Sequence, residues 1–202
     1  LDQVGADIDG EAANDYSSYS SVSLSSDGTR VAIGAYLNDN GNGNDSGHVR
    51  VYEYNGTNWI QVGADIDGEA ANDLSGSSVS LSSDGTRVAI GAYFNDNGNG
   101  TNSGHVRIYE YSGTAWVQVG DDIDGEAGGD RSGTPVSLSS DGQTVAIGAH
   151  LNDGNGTDSG HVRVYRFASV SSAPTPVPTL PLFGLGILAS LLGLFGLRKL
   201  RQ

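Results

Sequence analysis

Carboxylates recur in this chain at spacings that could hold a cation. Asp7-Ile8-Asp9-Gly10-Glu11, followed by Asp15, returns as Asp65-Ile66-Asp67-Gly68-Glu69 with Asp73, and again as Asp122-Ile123-Asp124-Gly125-Glu126 with Asp130. A hard cation such as Ca²⁺ takes about six to eight oxygen ligands. Asp7, Asp9, Asp15, Asp65, Asp67, Asp73, Asp122, Asp124 and Asp130 are therefore the candidate calcium ligands. A second reading uses the same residues: Asp and Gly shape a crossover between units, and Asp15 caps a turn. Another oxygen-rich stretch, Asn38-Asp39-Asn40-Gly41-Asn42-Gly43, repeats at Asn95–Gly100 in the register of the start of an EF-hand loop. Asn38 is neutral where that motif needs Asp, Val49 stands where it needs its last Glu, and Asn152–Gly156 loses the spacing. An Asn/Gly loop joining two strands accounts for these residues without a metal.

Other reactive side chains also recur once per unit, which limits what they can do together. His48, His105 and His161 each open a strand, so they stand apart and do not converge as ligands of one site. A repeated structural histidine is the reading they support, and His150 fills the slot held by Tyr36 and Tyr93. Arg50, Arg107 and Arg163 recur near acidic groups and pair with those. Trp59 and Trp116 offer faces that could stack on a sugar, although packing on an outer strand explains them. There is no cysteine, which removes disulfides and thiolate chemistry. There is no G-x-S-x-G elbow and no unique Ser/His/Asp set. No catalytic residue is assigned, and the chain reads as a non-enzyme.

The elements that must position these groups emerge from self-comparison. SVSLSSDGTRVAIGAY at Ser21 returns at Ser78 and, modified, at Pro135; SGHVRVYEY at Ser46 returns at Ser103 and Ser159. The period is 57 residues from Val22 to Val79 and from Val79 to Val136. Each unit reads as four short strands. Ser21–Ser25 alternates apolar with serine, and Asp27-Gly28 supplies a tight hairpin. Arg30–Tyr36 is apolar or small on both faces, which demands a sheet covered on both sides. His48–Tyr54 follows, then Asn55-Gly56 as a second turn and Trp59–Val62 as the fourth strand.

The expected fold is all-β: tandem four-stranded antiparallel blades forming a partial β-propeller of about three blades, at about 5–62, 63–119 and 120–167. A β-trefoil and a β-prism also use four strands per unit and remain alternatives. Leu1 is not a translation start, and Leu1–Val4 matches the tail of a fourth strand, so further units are expected upstream.

These motifs resemble FG-GAP repeats, the blades of integrin-α-type propellers. Asp73-Leu74-Ser75-Gly76-Ser77-Ser78-Val79 matches the pattern D-x-F-G-x-S-V with serine for phenylalanine. Gly34-Ala35-Tyr36, Gly91-Ala92-Tyr93 and Gly148-Ala149-His150 resemble its G-A-P element, and Gly47–Tyr52, Gly104–Tyr109 and Gly160–Tyr165 its G-x-V-x-V-Y strand. The resemblance covers residues 1–167. Such blades often hold calcium between their first two strands, but here that loop is Ser25-Ser26-Asp27-Gly28 with one carboxylate. That calcium site is not carried over, and no cofactor is assigned beyond the candidate calcium ligands above.

Charge and the C-terminus address location. All 24 acidic residues lie in residues 1–167 against seven arginines, a formal charge of −17, which excludes nucleic acid as a partner. Residues 168–179 form a Ser/Pro linker. Residues 180–197 are 18 uncharged, mostly apolar residues, about 27 Å as a helix and enough to span a membrane, and 198–202 form a basic cytoplasmic tail. This order resembles the PEP-CTERM class of sorting signals of Gram-negative envelope proteins, in its I-P-T-L variant. Val177, Pro178, Thr179 and Leu180 match that motif, Phe183 and Gly184 stand for its Trp-Gly, and Arg198, Lys199 and Arg201 form its basic end.

The resemblance implies export and processing by an exosortase-type enzyme. The expected function is an exported cell-surface or matrix protein whose repeats bind an extracellular glycan or protein. The alternative is a propeller domain of an exported carbohydrate-active or other hydrolytic enzyme, with catalytic residues upstream of Leu1.

Overall fold

The computed structural model describes residues 1–19 and 21–167; the linker, the apolar stretch, the sorting motif and the basic end expected at 168–202 lie outside the described residues. The described part is all-β, and no helix long and apolar enough to cross a membrane occurs in it.

The first sheet contains β1 (Val22–Leu24), β2 (Arg30–Ala35), β3 (His48–Tyr54), β4 (Trp59–Gln61) and β5 (Ile66–Asp67). Its order is β1-β2-β3-β4, all antiparallel, with β5 also paired to β3. β4 pairs with Tyr52–Tyr54, while β5 pairs with His48 and Val49 further back along the same strand. The outer strand is therefore one edge in two pieces. Gly63, at φ 78°, bends the chain away after Val62, and the buried Ile66 brings it back onto the sheet. The sequence reading ends this strand at Val62; part of the acidic crossover in fact continues it.

The second sheet repeats the plan with β6 (Ser78–Leu81), β7 (Arg87–Ala92), β8 (His105–Tyr111), β9 (Trp116–Gln118) and β10 (Ile123–Asp124). The third has β11 (Ser132–Leu138), β12 (Thr144–Ala149) and β13 (His161–Arg166). Within each repeat the successive long strands pair with one another, and the only named ladders that cross the expected repeat bounds are those of β5 with β3 and β10 with β8, made by the crossover that leaves each sheet.

The hairpins follow from local chemistry. Gly28 takes φ 72° between β1 and β2. Asp27 Oδ1 accepts from the Thr29 N–H (3.0 Å), the Ser25 hydroxyl (2.7 Å) and the Thr29 hydroxyl (2.8 Å). These bonds, the Thr29 amide foremost, hold the Asp27 carboxyl down at about 2.

The sheets stack face to face. Ala32, Val49 and Val51 of the first meet Val79, Leu81, Val88 and Ile90 of the second. Ala89, Val106 and Ile108 on the second sheet's far face meet Val136, Leu138, Val145 and Ile147 of the third. Burial therefore depends on having a neighbour. Val22 and Leu24 are 55% and 58% exposed, whereas Val79 and Leu81, at the same repeat positions, are 8% and 7% exposed. Such a burial contributes about 1.5–3 kcal/mol per side chain.

Polar contacts set the stacking register. Leu81 N–H donates to Ser23 Oγ, and Val136 and Leu138 N–H donate to Ser78 and Ser80 Oγ, all at 2.9 Å. At the outer edge Trp116 Nε1 donates to the Val62 carbonyl of the preceding repeat (2.7 Å), and Trp59 Nε1 to Val4 (2.9 Å). Meanders stacked with their first strands side by side give a propeller-like fold.

Close approach rests on glycine. A Cβ at Gly91 would stand 2.0 Å from the Gly133 carbonyl oxygen, and one at Gly34 the same distance from that of Gly76. Gly98, by contrast, has nothing within 4 Å of its would-be Cβ. Gly91→Ala is expected to lower unfolding free energy by about 2–4 kcal/mol and Gly98→Ala to change it by under about 0.5 kcal/mol, measured by urea titration.

Candidate functional site

β2, β7 and β12 all finish at one end of the sheets, where the loops that lead into β3, β8 and β13 meet the crossovers between repeats. The carboxylates and aromatics of interest gather there. Asp15, Asp73 and Asp130 anchor this end. Asp73 Oδ2 accepts from the Ala70 N–H (3.1 Å) and from Asn95 Nδ2 (3.0 Å). Asp15 does the same with Ala12 and Asn38, and Asp130 with Ala127 and Asn152. All three aspartates are at most 5% exposed, and burial pushes the Asp73 carboxyl up. Each pins a crossover to the loop of the repeat it enters.

The Asn/Gly loop is ordered by its own side chains. Asp39 Oδ1 accepts from the Asp45 N–H (2.8 Å), Asn40 Oδ1 from the Asn42 N–H (2.9 Å), and Asn42 Nδ2 donates to the Gly68 carbonyl (2.7 Å). Oxygens of Asp39 and Asn40 thus turn onto backbone amides of the loop itself. Nor do the residues of the β1–β2 hairpin fit a calcium ion, since the one carboxylate oxygen Asp27 directs inward already accepts three bonds.

The candidate carboxylates diverge within each repeat. Asp67 and Asp124 accept through their backbone carbonyls from Arg107 and Arg163, as Asp9 does from Arg50. Burial, chiefly, raises the Asp67 and Asp124 carboxyls. Asp7, Asp65 and Asp122 accept from Gln3, Gln61 and Gln118. Among the described residues, only the last two of these meet other ligating groups, and from an unexpected direction. Asp65 Oδ2 lies 3.8 Å from His48 Nδ1, and Glu11 Oε2 lies 3.7 Å from the same nitrogen. The second repeat duplicates this: His105 Nδ1 faces Asp122 at 3.7 Å and Glu69 at 3.8 Å. In each, the glutamate comes from the crossover before the repeat and the aspartate from the crossover after it.

The histidines stand apart from one another, as their spacing requires, yet each complete repeat brings one to two carboxylates. Glu11, Glu69 and the role of the histidines are missed by reading the acidic clusters along the chain. The legible signal is the constant step of 17 residues from His48 to Asp65 and from His105 to Asp122.

Burial is the main force lowering both imidazoles, His105 to about 4, with Arg107 adding to it and Asp122 opposing. They are neutral at pH 7, so these contacts are not ion pairs.

Aromatic side chains line the same end. A cavity of about 330 Å³ is bounded by Tyr19, Tyr36, Ser77, Tyr93, Arg131, Thr134 and His150, drawn from all three repeats. Tyr36 packs against Tyr16 and Tyr19 at 6.3 and 6.1 Å between centroids. Beside it, a cavity of about 500 Å³ runs past Leu37, Asp45, Leu74, Phe94, Asp96 and Asn102, and Arg131 lies 4.7 Å over the Phe94 ring. Burial raises the Tyr36 and Tyr93 phenols, which stay protonated donors. Tyr16, Leu74 and Arg131 hold one repeat position at φ 51°, 56° and 53°. A non-glycine residue in this left-handed region is costly, and here Leu74 lines the larger cavity and Arg131 the smaller. The tryptophans lie on the outer strands, each bonded to the preceding crossover.

The FG-GAP repeat family matches residues 64–109 and 122–165. No curated protein matches the chain. Among solved structures, the Kuenenia stuttgartiensis hydrazine synthase is similar over 63% of this chain and 29% of its own, at 15% identity and a TM-score of 0.39.

A histidine lowered on folding makes stability depend on pH. With an ordinary value of 6.5 and a folded value of about 4 for His105, the folded state excludes a proton that the unfolded chain binds. The contribution of His105 to stability is fully present above 6.5 and is lost as pH falls toward 4. The raised Asp67, Glu69, Asp73 and Asp124 act oppositely at the acid end of this window. In chelator-treated protein, His105→Gln is expected to flatten the decline between pH 6.5 and the carboxylate range, read from unfolding midpoints.

Proposed function

From a chain that carries FG-GAP repeats, we propose an exported, non-enzymatic binding protein, a three-blade portion of a propeller whose loop end engages an extracellular glycan or protein at the cell surface or in the matrix. The observation that carries this reading is the aromatic cavity to which all three repeats contribute. Tyrosine faces offer stacking surface, and their protonated hydroxyls, with Arg131 and Thr134, offer directional polar contacts. That combination suits a sugar ring, which has an apolar face and a hydroxylated edge. The −17 charge of residues 1–167 disfavours polyanions and supports a neutral saccharide as the ligand class.

The repeats supply a platform of near-identical units, which favours a binding surface as the role of this portion. The C-terminal residues complete the reading. The motif at Val177–Leu180, the apolar span 180–197 and the basic end would act as an address: membrane insertion through the span, recognition by an exosortase-type enzyme, and display or release of the repeats.

A glycan array with the purified chain tests the binding half. Binding to at least one neutral glycan is expected, with Tyr36→Ala plus Tyr93→Ala reducing it at least tenfold while the unfolding midpoint moves little. No binding to any glycan or matrix protein leaves a spacer role instead. For the address, residues 168–202 fused to an exported reporter are expected to hold it in the envelope of a host with an exosortase-type enzyme, with Pro178→Ala abolishing processing on an immunoblot.

A further inference from the structure

The two complete Glu–His–Asp clusters are built alike, and each of their carboxylates is held by one oxygen while the other is presented to the imidazole. Arg50 Nη1 holds Glu11 Oε1 (3.5 Å), leaving Oε2 to face His48 Nδ1. Gln61 Nε2 donates to Asp65 Oδ1 (2.6 Å), leaving Oδ2 to face the same nitrogen. Arg107 and Gln118 do the same for Glu69 and Asp122 (3.4 and 2.6 Å). Holding the far atom of a ligand to aim its near one is how outer-shell groups prepare a metal site.

The histidine at the centre lacks what it needs from protein alone. The His48 and His105 side chains are each 2% exposed, and each Nδ1 faces two carboxylate oxygens from beyond hydrogen-bond reach. A neutral imidazole has one N–H and cannot satisfy both. A cation among the three donors can. The donor atoms of each cluster all lie within 4.8 Å of one another. Bonds of about 2.0–2.2 Å in a tetrahedral arrangement place donors about 3.3–3.6 Å apart. Closing the 3.7 and 3.8 Å separations takes a few tenths of an ångström, the two carboxylate oxygens start within 4.8 Å of each other, and Glu11 and Asp65, 42% and 31% exposed, have room to approach. One imidazole nitrogen with two carboxylate oxygens suits a zinc-class ion over Ca²⁺, which prefers about six or more oxygens.

We propose that Glu11–His48–Asp65 and Glu69–His105–Asp122 are two equivalent sites for a divalent transition ion of the zinc class. Each ties the crossovers before and after its repeat to the start of β3 or β8, with a fourth position open to solvent. This goes beyond the binding platform and does not rest on it. The third repeat is a half-site: His161 meets Glu126 at 3.6 Å, and no third ligand joins them among the described residues. Residues 168–202 contain no Asp, Glu, His or Cys.

Chelator-stripped 202-residue chain titrated with Zn²⁺ alone, followed by calorimetry and metal analysis after dialysis, is expected to take up two ions. Asp65→Asn should lose one, and Asp65→Asn with Asp122→Asn both; these side chains are partly exposed and asparagine keeps the contact with Gln61 or Gln118. Circular dichroism and unfolding midpoint in chelator should be unchanged in the double variant, which separates lost ligation from lost folding. Absence of uptake, a stoichiometry the double variant retains, or preferential uptake of Ca²⁺ would each overturn the assignment. Glycan binding that persists in chelator leaves the platform reading untouched by any of these results.

Discussion

The repeats hold together because backbones of adjacent sheets touch where a side chain would keep them apart. Gly34 lies against Gly76 and Gly91 against Gly133, so close that a Cβ would fall 2.0 Å from a carbonyl oxygen. That approach brings Ala32 and Ala89 and the valines of β3 and β8 into contact with the next sheet. It also makes burial a property of the stack. Where no further sheet follows, apolar side chains stay in water: Val22 and Leu24 on the first face and Val162 and Val164 on the last remain exposed.

The same proximity organises the loop end. Once Gly76 lies on Gly34, the chain entering the second repeat passes over the loop of the first, where Ser75 N–H reaches the Ser46 carbonyl (3.0 Å). Asp73 then pins that crossover to Asn95 of its own repeat. Each crossover thus contacts two repeats: Asp65 turns back to His48 and Glu69 turns forward to His105. Carboxylates adjacent in sequence face different histidines, and those at the ends of a long stretch face the same one.

A strongly acidic surface would repel itself if its carboxylates were free. Here arginines on β3, β8 and β13 offset part of them: Arg50, Arg107 and Arg163 each reach a glutamate and an aspartate backbone carbonyl of a crossover while lying over Tyr52, Tyr109 or Tyr165. Arg30 and Arg87 pair with Glu53 and Glu110 in the same way along the strands. The aromatic cavity sits at the loop end, so the groups that position it also define the local electrostatic field.

The period, the alternation of Val22 and Leu24 with serine, the hairpin at Asp27-Gly28 and the doubly covered β2 are legible along the chain, because each depends on neighbours a few residues away. Repetition then carries one unit's reading to the others. The broken fourth strand was not legible, since whether Ile66 rejoins β3 depends on the core beneath it. The acidic clusters were visible as residue types but not as a site. Asp65, Asp67 and Asp73 look like one ligand set in sequence, yet strand pairing, an arginine and an asparagine draw them to three different places. Only the tertiary structure decided that His48 meets Glu11 and Asp65, because convergence of groups from separate crossovers is set by how closely the sheets stack.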